Sequence, residues 1–252
     1  MMKKGEKHIK TDKRAGFSSL FGIGVAFILL GLAVFAGFYM EKNTYINSVE
    51  FNGTYFVNES ELLSVIDSPI GIRADSVRFD SLFERLKSVP YVKDVAVKMS
   101  IRGKLTFLIK EHQPLAMLVQ GSNRRYLSEG GNILPIVPEH ILNVPLVYGI
   151  DTKQIADTTR TSPYWQAEEF LIAAQNSEVA WATLSEIAWT QNEGIVALTH
   201  DNGVKLIFGQ GDYEGKLDHW RAFYSEVVSR EGIQSFEVID LRFRDQIVTR
   251  NF

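Results

Sequence analysis

The sequence predicts an α+β protein: one N-terminal transmembrane helix, a small β-α-α-β-β unit, then a β-rich unit with two helices and a C-terminal edge strand. Three observations carry this expectation. The run Leu20–Tyr39, LFGIGVAFILLGLAVFAGFY, holds no charged side chain. After it, apolar residues recur first at helical spacing and then at period two. Beyond residue 113, turn residues repeatedly separate short β-prone runs.

Twenty helical residues at ~1.5 Å each reach ~30 Å, the thickness of a bilayer's hydrocarbon core. Residues 1–19 carry Lys3, Lys4, Lys7, Lys10, Lys13 and Arg14 against Glu6 and Asp12, a net of +4. On the other flank Glu41 and Lys42 cancel. An excess of Lys and Arg stays cytoplasmic, so the expected organisation is a cytoplasmic basic tail (1–19), a transmembrane helix (20–40) and two exported units (44–112 and 113–252). This is the topology of a single-pass inner-membrane protein with its C-terminal part outside. A cleaved signal peptide fits less well, because the apolar run exceeds the usual ~7–15 residues and no A-x-A pattern follows it.

The whole chain carries −3 and residues 20–40 carry no charge, so residues 41–252 carry −7. Nothing there marks a nucleic-acid binder. The absence of cysteine excludes disulfides, thiolate catalysis and Cys-based metal sites. An exported part without disulfides holds together by packing alone, which fits a bacterial envelope protein.

In the first unit, Asn47–Phe51 reads as a strand and Asn52-Gly53 as its turn. Asn58 and Glu61 form a capping-box pattern ahead of Leu62, Leu63, Val65 and Ile66. Phe79, Leu82, Phe83 and Leu86 make the apolar face of a second helix, which Pro90 ends. The period then changes to two: Val95, Val97, Met99 and Ile101, a turn at Arg102-Gly103, and Leu105, Phe107 and Ile109. Two helices on one face of a three-stranded sheet result.

In the second unit, Leu115–Val119 and Arg124–Leu127 flank the turn Gly121-Ser122-Asn123, and Ile133–Val137 follows a turn at 128–132. Pro145-Leu146-Val147 starts a short strand. Ser162-Pro163 opens a helix, Ser as cap, with Ala167, Phe170, Leu171 and Ala174 buried. A strand through Ile187 and Trp189 precedes the hairpin Ile195–Thr199 to Val204–Phe208, joined by Asp201-Asn202-Gly203. Leu217, Trp220, Tyr224 and Val227 share a helix face that ends near Gly232. The strands Phe236–Phe243 and Ile247–Arg250 finish the chain, the last expected at a sheet edge.

No ligand set or catalytic constellation emerges. His8, His112, His140, His200 and His219 show no i, i+4 pairing and no H-E-x-x-H, and G-x-S-x-G is absent. Glu168-Glu169 point ~100° apart on a helix and read as a solvated face. Gly209–Lys216, GQGDYEGK, matches neither G-x-G-x-x-G nor the P-loop, and reads as a strand-to-helix turn. Trp189 and Trp220 read as core, while Trp165 and Trp181 flank one helix. No catalytic residue, cofactor or metal is expected.

Several stretches resemble the FtsQ/DivIB family of bacterial cell-division proteins: Val49–Gly53 (VEFNG), Leu86–Met99 (LKSVPYVKDVAVKM), Leu105–Ala116 (LTFLIKEHQPLA), Arg125–Leu134 (RYLSEGGNIL) and Val238–Arg250 (VIDLRFRDQIVTR). The chain departs from the family at Ser100–Gly103, where an aromatic-Pro turn is usual. The resemblance implies that residues 44–112 form a POTRA domain. It also implies a non-enzymatic scaffold at the division septum, linking early division proteins to the septal wall-synthesis complex. Its partners would be FtsB/FtsL-like proteins, with other divisome proteins meeting the POTRA domain or transmembrane helix, and the membrane itself.

The same resemblance places the partner surface on Leu241, Arg242, Phe243, Ile247, Val248, Thr249 and Arg250. A partner segment would add as a further strand, Arg242 pairing with an acidic group and Phe243 entering an apolar groove. The opposing reading makes Leu241 and Phe243, sharing a face, both core. Two other functional classes stand beside the scaffold: a membrane-anchored envelope enzyme acting on wall glycan, and an outer-membrane assembly or secretion factor.

Overall fold

The computed structural model describes residues 23–35, 44–151, 155, 159 and 161–251. Residues 23–35 form helix α1, uncharged and exposed on every side. Among the described residues no helix is long and apolar enough to cross a membrane. The basic tail 1–19 and both ends of the expected span, 20–22 and 36–40, lie outside the described residues.

The first unit runs β1 (Ser48–Asn52), α2 (Glu59–Val65), α3 (Phe79–Lys87), β2 (Val92–Met99) and β3 (Lys104–Glu111). Its sheet order is β1-β3-β2, with β1 parallel and β2 antiparallel to the central β3. A parallel neighbour needs a crossover, and the two helices supply it. Val49 lies opposite Leu105 and Phe51 opposite Phe107, whose rings stack at 5.4 Å. Leu62, Leu86, Leu105 and Phe107 are fully buried.

Two local expectations fail here. The Asn58 side chain makes no capping bond, although α2 begins where the pattern placed it. Ile101, assigned to the apolar stripe, is 82% exposed. Strand β2 stops at Met99, so Ile101 enters the turn and leaves the alternation.

The second unit runs β4 (Pro114–Gln120), β5 (Asn123–Ser128), β6 (Asn132–Leu134), β7 (Leu146–Tyr148), α4 (Pro163–Gln175), α5 (Glu178–Thr183), β8 (Leu184–Thr190), β9 (Gly194–Thr199), β10 (Lys205–Gly209), α6 (Tyr213–Phe223), β11 (Phe236–Asp240) and β12 (Val248–Asn251). All nine strands join one sheet, ordered β12-β11-β10-β9-β8-β7-β4-β5-β6. The pairs β4/β7, β7/β8 and β10/β11 are parallel, and the others antiparallel. At the β9–β10 turn, Asn202 and Gly203 adopt φ of 60° and 59°, the left-handed pair that a tight hairpin requires.

Helices α4 and α6 share one core with the sheet. Phe170 of α4 meets Phe208 of β10 at 4.7 Å and Tyr213 of α6 at 5.5 Å, ring centroid to centroid. Trp220 is fully buried and donates its ring N–H to Thr183 Oγ1 at 3.0 Å. After α6 the helix loosens into a π turn at Tyr224–Val228, and Gly232, at φ 80°, ends it.

The structure corrects further details of this unit. Trp181 sits on α5, a short helix the pattern did not separate from α4. Ser162 stands at the N-cap position of α4, yet its Oγ is buried and bonds to nothing among the described residues. Glu168 is buried rather than solvated, and its Oε1 accepts from Tyr164 Oη and from the Gly130 N–H, both at 2.6 Å. Glu169 is exposed.

Only His112 and Gln113 separate β3 from β4, and the two cores are not separated there. Tyr126 of β5 and Leu134 of β6 pack into the core of the first unit. Tyr91 Oη donates to the Pro135 carbonyl, and Tyr126 Oη accepts the Leu142 N–H at 2.9 Å. The rings of Phe56 and Tyr91 stack at 4.5 Å, and His140 lies 4.4 Å from Tyr55. The segment after β6 thus lies against the first sheet.

Candidate partner-binding edge

Strand β12 is the last in the order of the large sheet. It pairs antiparallel with β11 on one side, Asp240 opposite Val248, Ile239 opposite Thr249 and Val238 opposite Arg250. On its other side no strand pairs with it among the described residues. All four of its side chains are exposed. Such an edge presents a row of backbone donors and acceptors to an extended segment. Arg250 is tied to the neighbouring strand, Nε and Nη2 donating to Glu237 at 2.8 and 2.9 Å.

The stretch leading to this edge is shaped by Asp240 and Arg242. The Asp240 Oδ1 accepts the Arg242 backbone N–H at 3.1 Å, a turn closed by an Asp side chain two residues upstream. The guanidinium adds Nε to Oδ1 at 2.9 Å and Nη2 to Oδ2 at 2.6 Å. Burial pushes the Asp240 carboxyl up, but the Arg242 hydrogen bonds and charge outweigh it and hold the carboxyl below its ordinary value. The same pairing raises Arg242. Lys205 on β10 adds to the field on Asp240 and is itself held by Glu193 at 2.7 Å.

The turn separates the expected site residues. Leu241 continues the β10 ladder, its N–H donating to Ile207 O at 2.9 Å, and its side chain is fully buried. It therefore offers no side-chain surface to a partner. Arg242 is already engaged within the chain, so its expected role as a pair for an acidic partner group meets a prior claim from Asp240. Phe243 does not share the face of Leu241. The strand has ended by then, the alternation is broken, and Phe243 is 44% exposed with the Arg242 guanidinium 6.0 Å from its ring centroid. Ile247 precedes β12 instead of belonging to it and packs against the main core. Val248, Thr249 and Arg250 lie on the exposed edge.

Beside the edge, a groove of about 290 Å³ runs between the end of α6 and the 244–247 loop, lined by Phe223, Val227, Arg244 and Ile247 among others. Its lining also includes His219, Glu226, Asp245 and Gln246, so apolar and charged groups share it. Sequence reasoning missed Asp240 as a shaping residue. Its signal was the D-L-R spacing, which puts residues 240 and 242 on one face of an extended chain and 241 on the other.

A family model described as "FtsQ/DivIB, C-terminal related" matches residues 113–250, which include the large sheet as far as Arg250 of β12. The chain belongs to the FtsQ/DivIB family. A relative described as "Cell division protein FtsQ" from Geotalea daltonii is 26% identical over 251 residues, covering 96% of this chain and 87% of the relative. A protein of the same description from Salinibacter ruber is 27% identical over 248 residues, covering 94% and 92%. The FtsQ/DivIB likeness thus extends through the first unit as well as the matched second one.

Two other features of this FtsQ/DivIB chain bear on chemistry. A cleft of about 270 Å³ between α4 and α6 is lined by Trp165, Glu168, Glu169, Asp212 and Glu214 among others. Its buried carboxylate, Glu168, is spent on fixing the Gly130 turn and the Tyr164 hydroxyl. In the Gly209–Lys216 turn, Lys216 Nζ donates to the carbonyls of Gln210 and Gly211 at 2.9 and 2.6 Å, and burial lowers its pKa. The turn binds its own lysine.

Proposed function

We propose that the chain is a membrane-anchored scaffold of the bacterial division machinery that recruits an extended partner segment onto the free edge of β12. Residues 20–40 serve as the anchor, the basic tail 1–19 stays cytoplasmic, and residues 44–112 (the POTRA domain) and 113–252 are exported. The partner is of the FtsB/FtsL type, and the chain itself is non-enzymatic: it links early division proteins to the septal wall-synthesis complex. One observation carries the reading: β12 ends the nine-stranded sheet with all four side chains exposed, in a chain of the FtsQ/DivIB family. Backbone hydrogen bonds to the edge supply affinity, and Phe243, Val248 and the adjoining groove supply selectivity.

The test is photo-crosslinking in cells from residues 243, 248, 249 and 250, with captured proteins identified by mass spectrometry. Capture of one small single-pass division protein at alternating positions of 248–250 is expected, because neighbouring strand residues face opposite sides. No capture at 248–250 overturns strand addition at β12.

A further inference from the structure

We infer that the end of the first unit nearest the anchor carries an apolar surface, with Arg102 at its tip, that rests in the interface of the same membrane. This rests on the reading of residues 20–40 as a membrane anchor.

The backbone brings three stretches together at this end. Residues 44–47 run between the 69–73 loop and the β2–β3 turn. On one side the Ile46 N–H donates to Ile72 O at 3.0 Å, the Gly71 N–H to Ile46 O at 2.8 Å and the Ala74 N–H to Thr44 O at 3.0 Å. On the other, the Asn47 N–H donates to Gly103 O at 2.8 Å and its side-chain amide to Arg102 O at 2.9 Å. Gly103 packs so closely that a Cβ there would overlap the Tyr45 carbonyl, and its φ is +79°. Both tips are therefore pinned to the segment through which the chain arrives.

These tips are unusually apolar. Outside α1, large apolar side chains are exposed at eleven described positions, and five of them lie here: Tyr45, Ile70, Ile72, Met99 and Ile101. Scattered exposed apolar residues are ordinary, whereas a concentration marks a contact surface. Ile101 is the most exposed of the eleven, at 82%. The stretches 44–47, 69–73 and 99–104 hold Arg73, Arg102 and Lys104; Arg73 is ion-paired with Asp75 and Lys104 with Glu50, each at 2.6 Å, and Arg102 is exposed beside Ile101 at the tip of the turn. Apolar tips with a tyrosine, and an arginine next to the most exposed of them, match the boundary between bilayer and water.

Chain length selects the occupant. Residues 40–44 alone separate Tyr39 from Tyr45. At most ~3.6 Å per residue, they hold this end within about 20 Å of the end of the apolar run. A surface tethered that closely stays within reach of the lipid headgroups.

The test uses the full chain, one copy per nanodisc of phosphatidylethanolamine and phosphatidylglycerol. The chain has no cysteine, so single spin labels go on Ile70→Cys, Ile101→Cys, Val34→Cys and the distant Ile172→Cys. Power saturation compares collisions with oxygen, which enters lipid, and with a water-soluble nickel complex. The oxygen-to-nickel ratio at 70 and 101 should exceed that at 172 several-fold, and Arg102→Glu should lower it at 101. If 34 reads as lipid while 70 and 101 match 172, the surface is overturned and the anchor stands. If 34 reads as water, the anchor reading falls and takes the surface with it. If 70 and 101 become shielded only in native membranes rich in other proteins, the occupant is a protein and the lipid contact is overturned.

Discussion

The Glu111 carboxylate accepts the Phe56 backbone N–H on both oxygens, at 3.1 Å each. It also takes the N–H of Tyr55 at 3.0 Å and of Val57 at 3.0 Å. One side chain at the end of β3, only 5% exposed, thus satisfies three successive amides just ahead of α2. The segment it holds carries the rings that contact Tyr91 and His140. A single carboxylate therefore fixes both the start of α2 and one side of the joint between the two units.

Glu111→Ala should cost ~2–4 kcal/mol, since buried amides lose charged acceptors. Glu111→Gln, which keeps one acceptor oxygen, should cost less. Hydrogen exchange of the 53–63 segment reads the effect directly, with protection falling in the order wild type, Gln, Ala. Equal protection in all three would show that the carboxylate does not hold the segment.

Leu241 and Phe243 should separate folding from recruitment. Leu241→Ala leaves a cavity in the main core and should destabilise by ~2–5 kcal/mol. Phe243→Ala should change stability by less than ~0.5 kcal/mol, while reducing crosslinking from residue 248. Thermal unfolding and the crosslinking assay, run on both variants, check the contrast.

The Asp240–Arg242 pair should make the turn before β12 acid-sensitive. The fold lowers the pKa of Asp240, so its stabilisation is complete above the ordinary carboxylate range and lost as pH falls through the lowered folded value. The stability difference between wild type and Asp240→Asn should be largest near neutral pH and should shrink below about pH 4. Denaturation curves from pH 2 to 7 test the sign. A difference that grows on acidification would contradict it.

At the alkaline end, burial dominates. It pushes Tyr91 up to about 12, with the charges of Tyr126 and Glu111 adding to it, and Tyr213 up to about 12 against an opposing hydrogen bond at Gly211. Both stay protonated in the fold where unfolded tyrosines ionise, near 10. Stability should therefore be unaffected by these groups below about pH 10 and fall between 10 and 12. Tyr91→Phe and Tyr213→Phe should each flatten that fall. Tyr91→Phe should also cost ~1 kcal/mol at neutral pH through the lost bond to Pro135.

Local pattern determined a good deal by itself. The residue pattern around Asn58–Ile66 and the apolar spacing of Phe79–Leu86 located both helices of the first unit, although the Asn58 side chain makes no capping bond, and period-two alternation located β2 as far as Met99 and β3, because a regular element repeats its buried face at its own period. Turn pairs such as Asn202-Gly203 located the hairpins, because few residues adopt a positive φ. The expectation of an edge at the C-terminal strand also came from order along the chain. Tertiary structure alone decided which strands neighbour one another, that Tyr126 and Leu134 complete the core of the first unit, that Glu168 is buried, and that Arg242 belongs to Asp240. Periodicity says which face of an element is apolar, but not what covers it. A charged side chain is solvated, buried or paired according to what the rest of the chain brings within a few ångströms, and residues far apart in sequence make that choice.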